Sequence, residues 1–237
     1  MARRIVTPEA GAPSSASEGT ATKTRALLAC GIVAGPLFLG VALTQAFTRQ
    51  GFDLSRHPLS LLSLGDLGWI QIANFVVTGV LYVACAVGMR RGLGPGPGAA
   101  WGPRLVGVLG IGLIMGGVFL TDAGAGFPPG APAGAPEISW HGMLHNVAPI
   151  LALDGMVVGC LVFARRFAAL KQGSWAAAGV AAALAVLVPT FWPDLDGISV
   201  RLVVAQAIQF GFVAALAAHL MRGLPDTAAR SVAARSR

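Results

Sequence analysis

The charges of this chain leave six long gaps, and those gaps decide what it can fold into. Apolar runs occupy about residues 26–47, 69–89, 105–121, 140–163, 174–192 and 198–221, interrupted by charge only at Asp154 and Arg201. A helix of about 20 apolar residues crosses the ~30 Å hydrocarbon layer of a bilayer. Hydrocarbon offers no water to the peptide groups, so each crossing must bond its own backbone, as a helix does. Hydrophobic residues make up 55% of the chain and charged residues 11%, against about 25% charged in a soluble domain. The expected fold is therefore all-α: an integral membrane bundle of six transmembrane helices.

Lysine and arginine orient the bundle, because connections rich in them stay in the cytoplasm. Fourteen of the seventeen fall before helix 1, between helices 2 and 3, between helices 4 and 5, or after helix 6. Arg49, Arg56 and Arg201 fall on the other side. Both termini are thus expected in the cytoplasm, in a multi-pass protein of the cell membrane. Residues 1–24 and 223–237 read as disordered cytoplasmic tails around a transmembrane domain at 25–222. The first apolar run is too long for a signal peptide's core, and no clear cleavage site follows it. The net charge of +7 gathers at the ends of apolar runs, which is a topology signal. Nucleic acid is not an indicated partner; membrane lipids are.

The two long outer connections differ from the short inner ones. Residues 48–68 are too apolar for an open loop and too short to span. His57, Ser60 and Ser63 recur every third residue among leucines, as on one face of a short helix lying at the interface. Residues 121–139 are rich in proline and glycine. Cys30, Cys85 and Cys160 lie singly in apolar runs and indicate neither a disulfide nor a thiolate zinc site. The five tryptophans sit near the ends of runs, as an aromatic belt does. His219 reads as an inner-end side chain reaching for water, and Asp194 and Asp196 as partners of Arg201. Small-xxx-small pairs at Gly31/Gly35, Gly112/Gly116 and Gly155/Gly159 suit close helix crossings. No internal repeat, Walker A loop, G-x-S-x-G elbow or dinucleotide fingerprint is present.

Two places could carry chemistry. His57, His141 and His145 are three of only four histidines, and all fall at the outer face. His141 and His145 are one helical turn apart, a spacing that suits two imidazoles on one metal. Asp53 precedes His57 by four residues, and Asp122 ends the third run. A converging set of His57, Asp122, His141 and His145 would suit zinc first, then iron or manganese, with Asp53 as a general base or a support to a ligand. Pro149 has no N–H, so the His145 carbonyl loses its helical partner and favours either a polar pocket or a simple kink. The second place is Asp154, a carboxylate deep in a span. It would serve either transport or a hydrogen bond to a glutamine of the last helix, where Gln206 and Gln209 lie at similar depth.

The segments RHPLSLLSLGDLGWIQIANF and TDAGAGFPPGAPAGAPEISWHGMLHN resemble an uncharacterised membrane family, domain of unknown function 998, over about residues 25–222. That resemblance implies a multi-span membrane protein and no established activity. The histidine pattern is also loosely similar to the alkaline ceramidases and progestin/adiponectin-type receptors, which hold zinc with S-xxx-H, D and H-xxx-H. Here Asp53 replaces that serine, six spans replace seven, and H-xxx-H lies in helix 4. Three readings stay open: a metal-dependent hydrolase of lipid-like substrates, a small transporter or ligand sensor using Asp154, and a structural membrane protein.

Overall fold

The computed structural model describes residues 15–190, 192 and 197–224. Among them, helices are joined by turns and no strand forms: α1 Ser15–Thr48, α2 Gly68–Gly92, α3 Trp101–Val118, α4 Trp140–Pro149, α5 Gly155–Ala169, α6 Gly173–Thr190 and α7 Ile198–Arg222. A π-helical turn, Ile150–Asp154, joins α4 and α5, so Trp140–Ala169 forms one crossing of 30 residues. Among the described residues, five segments are long and apolar enough to span, and α6 supplies a shorter sixth.

Most boundaries agree with the apolar runs; α5 runs on past its run to Ala169, and α1 departs most. That helix starts at Ser15, so part of the stretch expected as a disordered tail is helical. It precedes the apolar run with residues of fair helix propensity and no proline between Ser15 and Arg25. Residues 1–14 and 225–237 lie outside the described residues, as do Asp194 and Asp196 and their expected pairing with Arg201.

The crossings pack in a ring: α1 on α2, α2 on α3, α3 on α4 and α5, α5 on α6, α6 on α7, and α7 back on α1. Small residues permit the tightest crossing. A Cβ at Gly79 of α2 would lie 2.5 Å from the Gly110 carbonyl of α3, closer than any side chain tolerates. Aromatic contacts fill the middle, with Phe38 5.2 Å from Phe75 and 5.7 Å from Phe210 between ring centroids.

One end of the ring gathers the start of the α1 crossing, the end of α7 and the arginine-rich turns. Arg25 donates to the Leu224 carbonyl at 2.9 Å. Arg166, buried, donates to the carbonyls of Gly94 and Pro97 at 3.0 and 3.1 Å. Trp175 departs from the belt: it stacks on Phe167, and His219 packs against it at 4.7 Å. Trp69, Trp101, Trp140 and Trp192 are exposed.

The other end carries the long connections. Leu59–Ser63 is a 3-10 helix, whose three-residue turn matches the spacing of His57, Ser60 and Ser63. Leu59, Leu61, Leu62 and Ser63 are buried, so the segment packs on the bundle as its leucines required. Arg49 fastens it by donating to the carbonyls of Leu62 and Leu64 at 3.1 and 2.6 Å.

Gly94 and Gly134 sit in connections at opposite ends, and neither has an atom within 4 Å of an added Cβ. In a background lacking Cys30, Cys85 and Cys160, an impermeant thiol reagent added to intact cells should label Gly134→Cys. Gly94→Cys should react only after permeabilisation; the opposite pattern would invert the bundle.

Candidate functional site

The outer histidines are placed by the way α3 ends. The chain leaving α3 at Phe119 and Leu120 exposes carbonyls that have no helical partner. His145 Nδ1 lies 2.7 Å from the Phe119 carbonyl, and His141 Nδ1 lies 3.1 Å from the Leu120 carbonyl. A carbonyl only accepts, so both Nδ1 atoms carry the proton and donate. The one-turn spacing of the two imidazoles thus matches the two carbonyls at the close of α3.

Ser139 caps α4. Its hydroxyl accepts from the Gly142 N–H at 3.1 Å and donates to Asp122 Oδ1 at 2.6 Å, while its N–H donates to Asp122 Oδ2 at 2.9 Å. The Ser139 hydroxyl, followed by the Ser139 amide, holds the Asp122 carboxyl below its ordinary value. His141 Nδ1 is 3.9 Å from Asp122 Oδ1, too far for a direct hydrogen bond. Gly142 lets the carboxylate sit against α4, because a Cβ there would collide with Asp122.

His57 belongs to a different cluster. Its Nδ1 accepts from the Asp53 N–H at 2.9 Å, which leaves Nε2 to donate to the Ala125 carbonyl at 3.0 Å. Phe52 and Phe127 flank its ring. The Asp53 carboxylate turns away and accepts from the hydroxyl and amide of Ser55 at 2.7 and 2.9 Å. Those two donors hold the Asp53 carboxyl below its ordinary value.

The convergence expected of Asp53, His57, Asp122, His141 and His145 is therefore not what the fold produces. Both ring nitrogens of His57 are engaged by backbone, and both oxygens of Asp122 by Ser139. Among the described residues no three His, Cys, Asp or Glu side chains gather as a metal site would require. Local backbone demands account for this arrangement: helix ends near lipid recruit the polar side chains closest to them.

What the fold does build beside His145 is a cavity of about 650 Å³ in the outer half of the bundle. Gly112, Gly116, Ala148 and Ala152 keep one wall thin, Phe38, Phe75 and Leu113 add apolar surface, and Leu202 and Val203 of α7 face them. The outer segment at Pro58–Leu61 and the 121–136 connection contribute the rest. The π-turn follows Pro149, as the missing N–H demands. Pro149, Ala152 and Leu153 line the cavity. Asn146 and Pro149 line it and are also exposed, so the cavity opens beside α4. The polar lining includes Asp122, His145, Asn146, Ser199 and Gln206.

Asp154 does not line this cavity. Its side chain is exposed on the bundle surface and has no hydrogen-bond partner among the described residues. The expected Asp154–glutamine pair is not formed. Gln209 instead donates to the Leu153 carbonyl at 3.1 Å, one residue short of the carboxylate.

Sequence reasoning passed over Ser139, Asn146 and Ser199. A serine before an apolar helical run is a capping signal that could have found the first. A single polar residue at the edge of an apolar run carries no comparable signal for the other two.

These features define a six-crossing, all-helical membrane protein with a mainly apolar cavity near its outer face. The chain belongs to the family described as protein of unknown function (DUF998), which matches residues 32–224. No curated protein and no solved structure matches it, so the likeness to ceramidase-type hydrolases finds no support.

The Asp122–Ser139 contact makes a pH prediction. A carboxyl held below its unfolded value of about 3.9 adds stability that is present above that value and lost as pH falls through the folded one. The melting temperature of wild type should drop more steeply below about pH 5 than that of Asp122→Asn. Ser139→Ala should lose about 1 kcal/mol at neutral pH through its cap, measured by thermal unfolding in detergent.

Proposed function

We propose that this protein binds an amphiphile in its outer-half cavity, as a ligand-binding protein of the cell membrane. The cavity carries the reading. Its volume of about 650 Å³ falls in the range of small-molecule sites, which are mostly apolar with a few polar groups that fix orientation. Asn146 of α4 and Gln206 of α7 line it, and neither carboxamide has a hydrogen-bond partner among the described residues. A neutral amide both donates and accepts, which suits a hydroxyl, ester or amide head group better than a bare charge. Small residues and aromatic rings line the remainder and suit an acyl or isoprenoid chain. The exposed edge at Asn146 and Pro149 supports entry from the surrounding lipid, so membrane lipids or molecules dissolved among them are the natural source.

A fluorescent acyl alcohol titrated into protein in nanodiscs tests this. Val203→Trp fills the cavity from α7 and should weaken binding at least tenfold. Asn146→Ala and Gln206→Ala should each weaken it by about two- to tenfold, the range of one neutral hydrogen bond. Equal affinity in a folded Val203→Trp protein would refute the reading.

A further inference from the structure

A second polar feature lies between α1 and α2 and shares none of its polar side chains with the cavity. Gln71, Asn74, Thr78 and Tyr82 recur at three- and four-residue steps, so they share one face of α2 over about 16 Å. Gln71, Thr78 and Tyr82 are 0% exposed, and Asn74 and Gln45 of α1 are 5% exposed. Three of them are linked. Gln45 Nε2 donates to Gln71 Oε1 at 2.9 Å. Asn74 Nδ2 donates to Gln71 Oε1 at 3.3 Å and to the Phe38 carbonyl at 3.0 Å. These links leave Gln45 Oε1, Gln71 Nε2, Asn74 Oδ1, Thr78 Oγ1 and Tyr82 Oη buried with no partner among the described residues.

A buried polar atom with no partner destabilises a fold by more than an ordinary hydrogen bond stabilises it. Several along one face would weigh heavily against the small net stability of any fold. Turning the Asn74 amide over gives no relief, because its bond to the Phe38 carbonyl would be lost. Thr78 is the telling case. Thr24, Thr44 and Thr48 each donate to the carbonyl four residues back, at 2.9, 2.7 and 2.7 Å. The Thr78 hydroxyl has the same option at Asn74 and does not take it. The orphan atoms mix donors, acceptors and hydroxyls that do both, with no formal charge among them.

We propose that this face of α2 holds separate structural waters, one bound toward Gln45, Gln71 and Asn74 and one toward Thr78 and Tyr82. Water both donates and accepts, and at about three bonds per buried molecule roughly two molecules satisfy the orphan atoms. These are binding sites for water alone and do not depend on a ligand in the cavity.

Radiolytic hydroxyl-radical footprinting of the full chain in nanodiscs tests it, because radicals born from bound water mark the side chains beside it. Tyr82 should be oxidised at a rate of the same order as exposed Trp69 and Trp101. Phe163, also 0% exposed and with no orphan polar atom on its own side chain, should be protected. Protection of Tyr82 at the level of Phe163 would overturn the proposal, whatever the variants do. Thr78→Val and Tyr82→Phe should each lower the melting temperature by a few degrees by breaking the water's bonds. A rise in both would mean that the stripe is dry and its orphan atoms merely strained, which also overturns it.

Discussion

Every part of this structure answers to one constraint: a peptide group in hydrocarbon must find its partner within the chain. Six helical crossings meet it along their lengths. The difficulty falls where helices stop or widen, and there the chain's few polar side chains are used. His141 and His145 serve the carbonyls beyond α3. Gln209 serves Leu153 in the π-turn, Arg49 the end of the 3-10 segment, and Arg166 the turn between α2 and α3. An imidazole in such a protein is recruited first by backbone, which is why His141 and His145 face the carbonyls beyond α3 while His57 is held by Asp53 and Ala125.

The same constraint explains how much could be read in advance. Spans are legible because charge is excluded from them, and the ends of the crossings after α1 fall within a few residues of the apolar runs, save that α5 continues through Arg165 and Arg166 to Ala169. The packed outer segment was also legible, since leucines alternating with His57, Ser60 and Ser63 cannot remain in water. The site was less so. His141 and His145 share a face, as spacing requires, but spacing does not say whether the face meets a metal or two carbonyls. Asp154 lies in a span, yet the π-turn rephases the helix around it, and it emerges on the surface. The start of α1 at Ser15 was hidden because helix propensity without an apolar face leaves little pattern.

The cavity is a consequence of bulk and shape. Gly112, Gly116, Ala148 and Ala152 bring α3 close to α4 and the π-turn with little bulk between them, and a Cβ at Gly112 would lie 2.8 Å from the Ala148 carbonyl. Close approach there leaves space on the α7 side, and the outer connections roof it. Of its polar groups, the carboxamides of Asn146 and Gln206 have no partner among the described residues, so a ligand reaches them without breaking a bond already made.

The central claim is that this space is built for a guest. A structure determined in lipid nanodiscs tests it most directly. The account predicts elongated density between α4 and α7, with its polar end at Asn146 and Gln206. Collapse of α7 onto Ala148 and Ala152, or a cavity holding only ordered water, would contradict it.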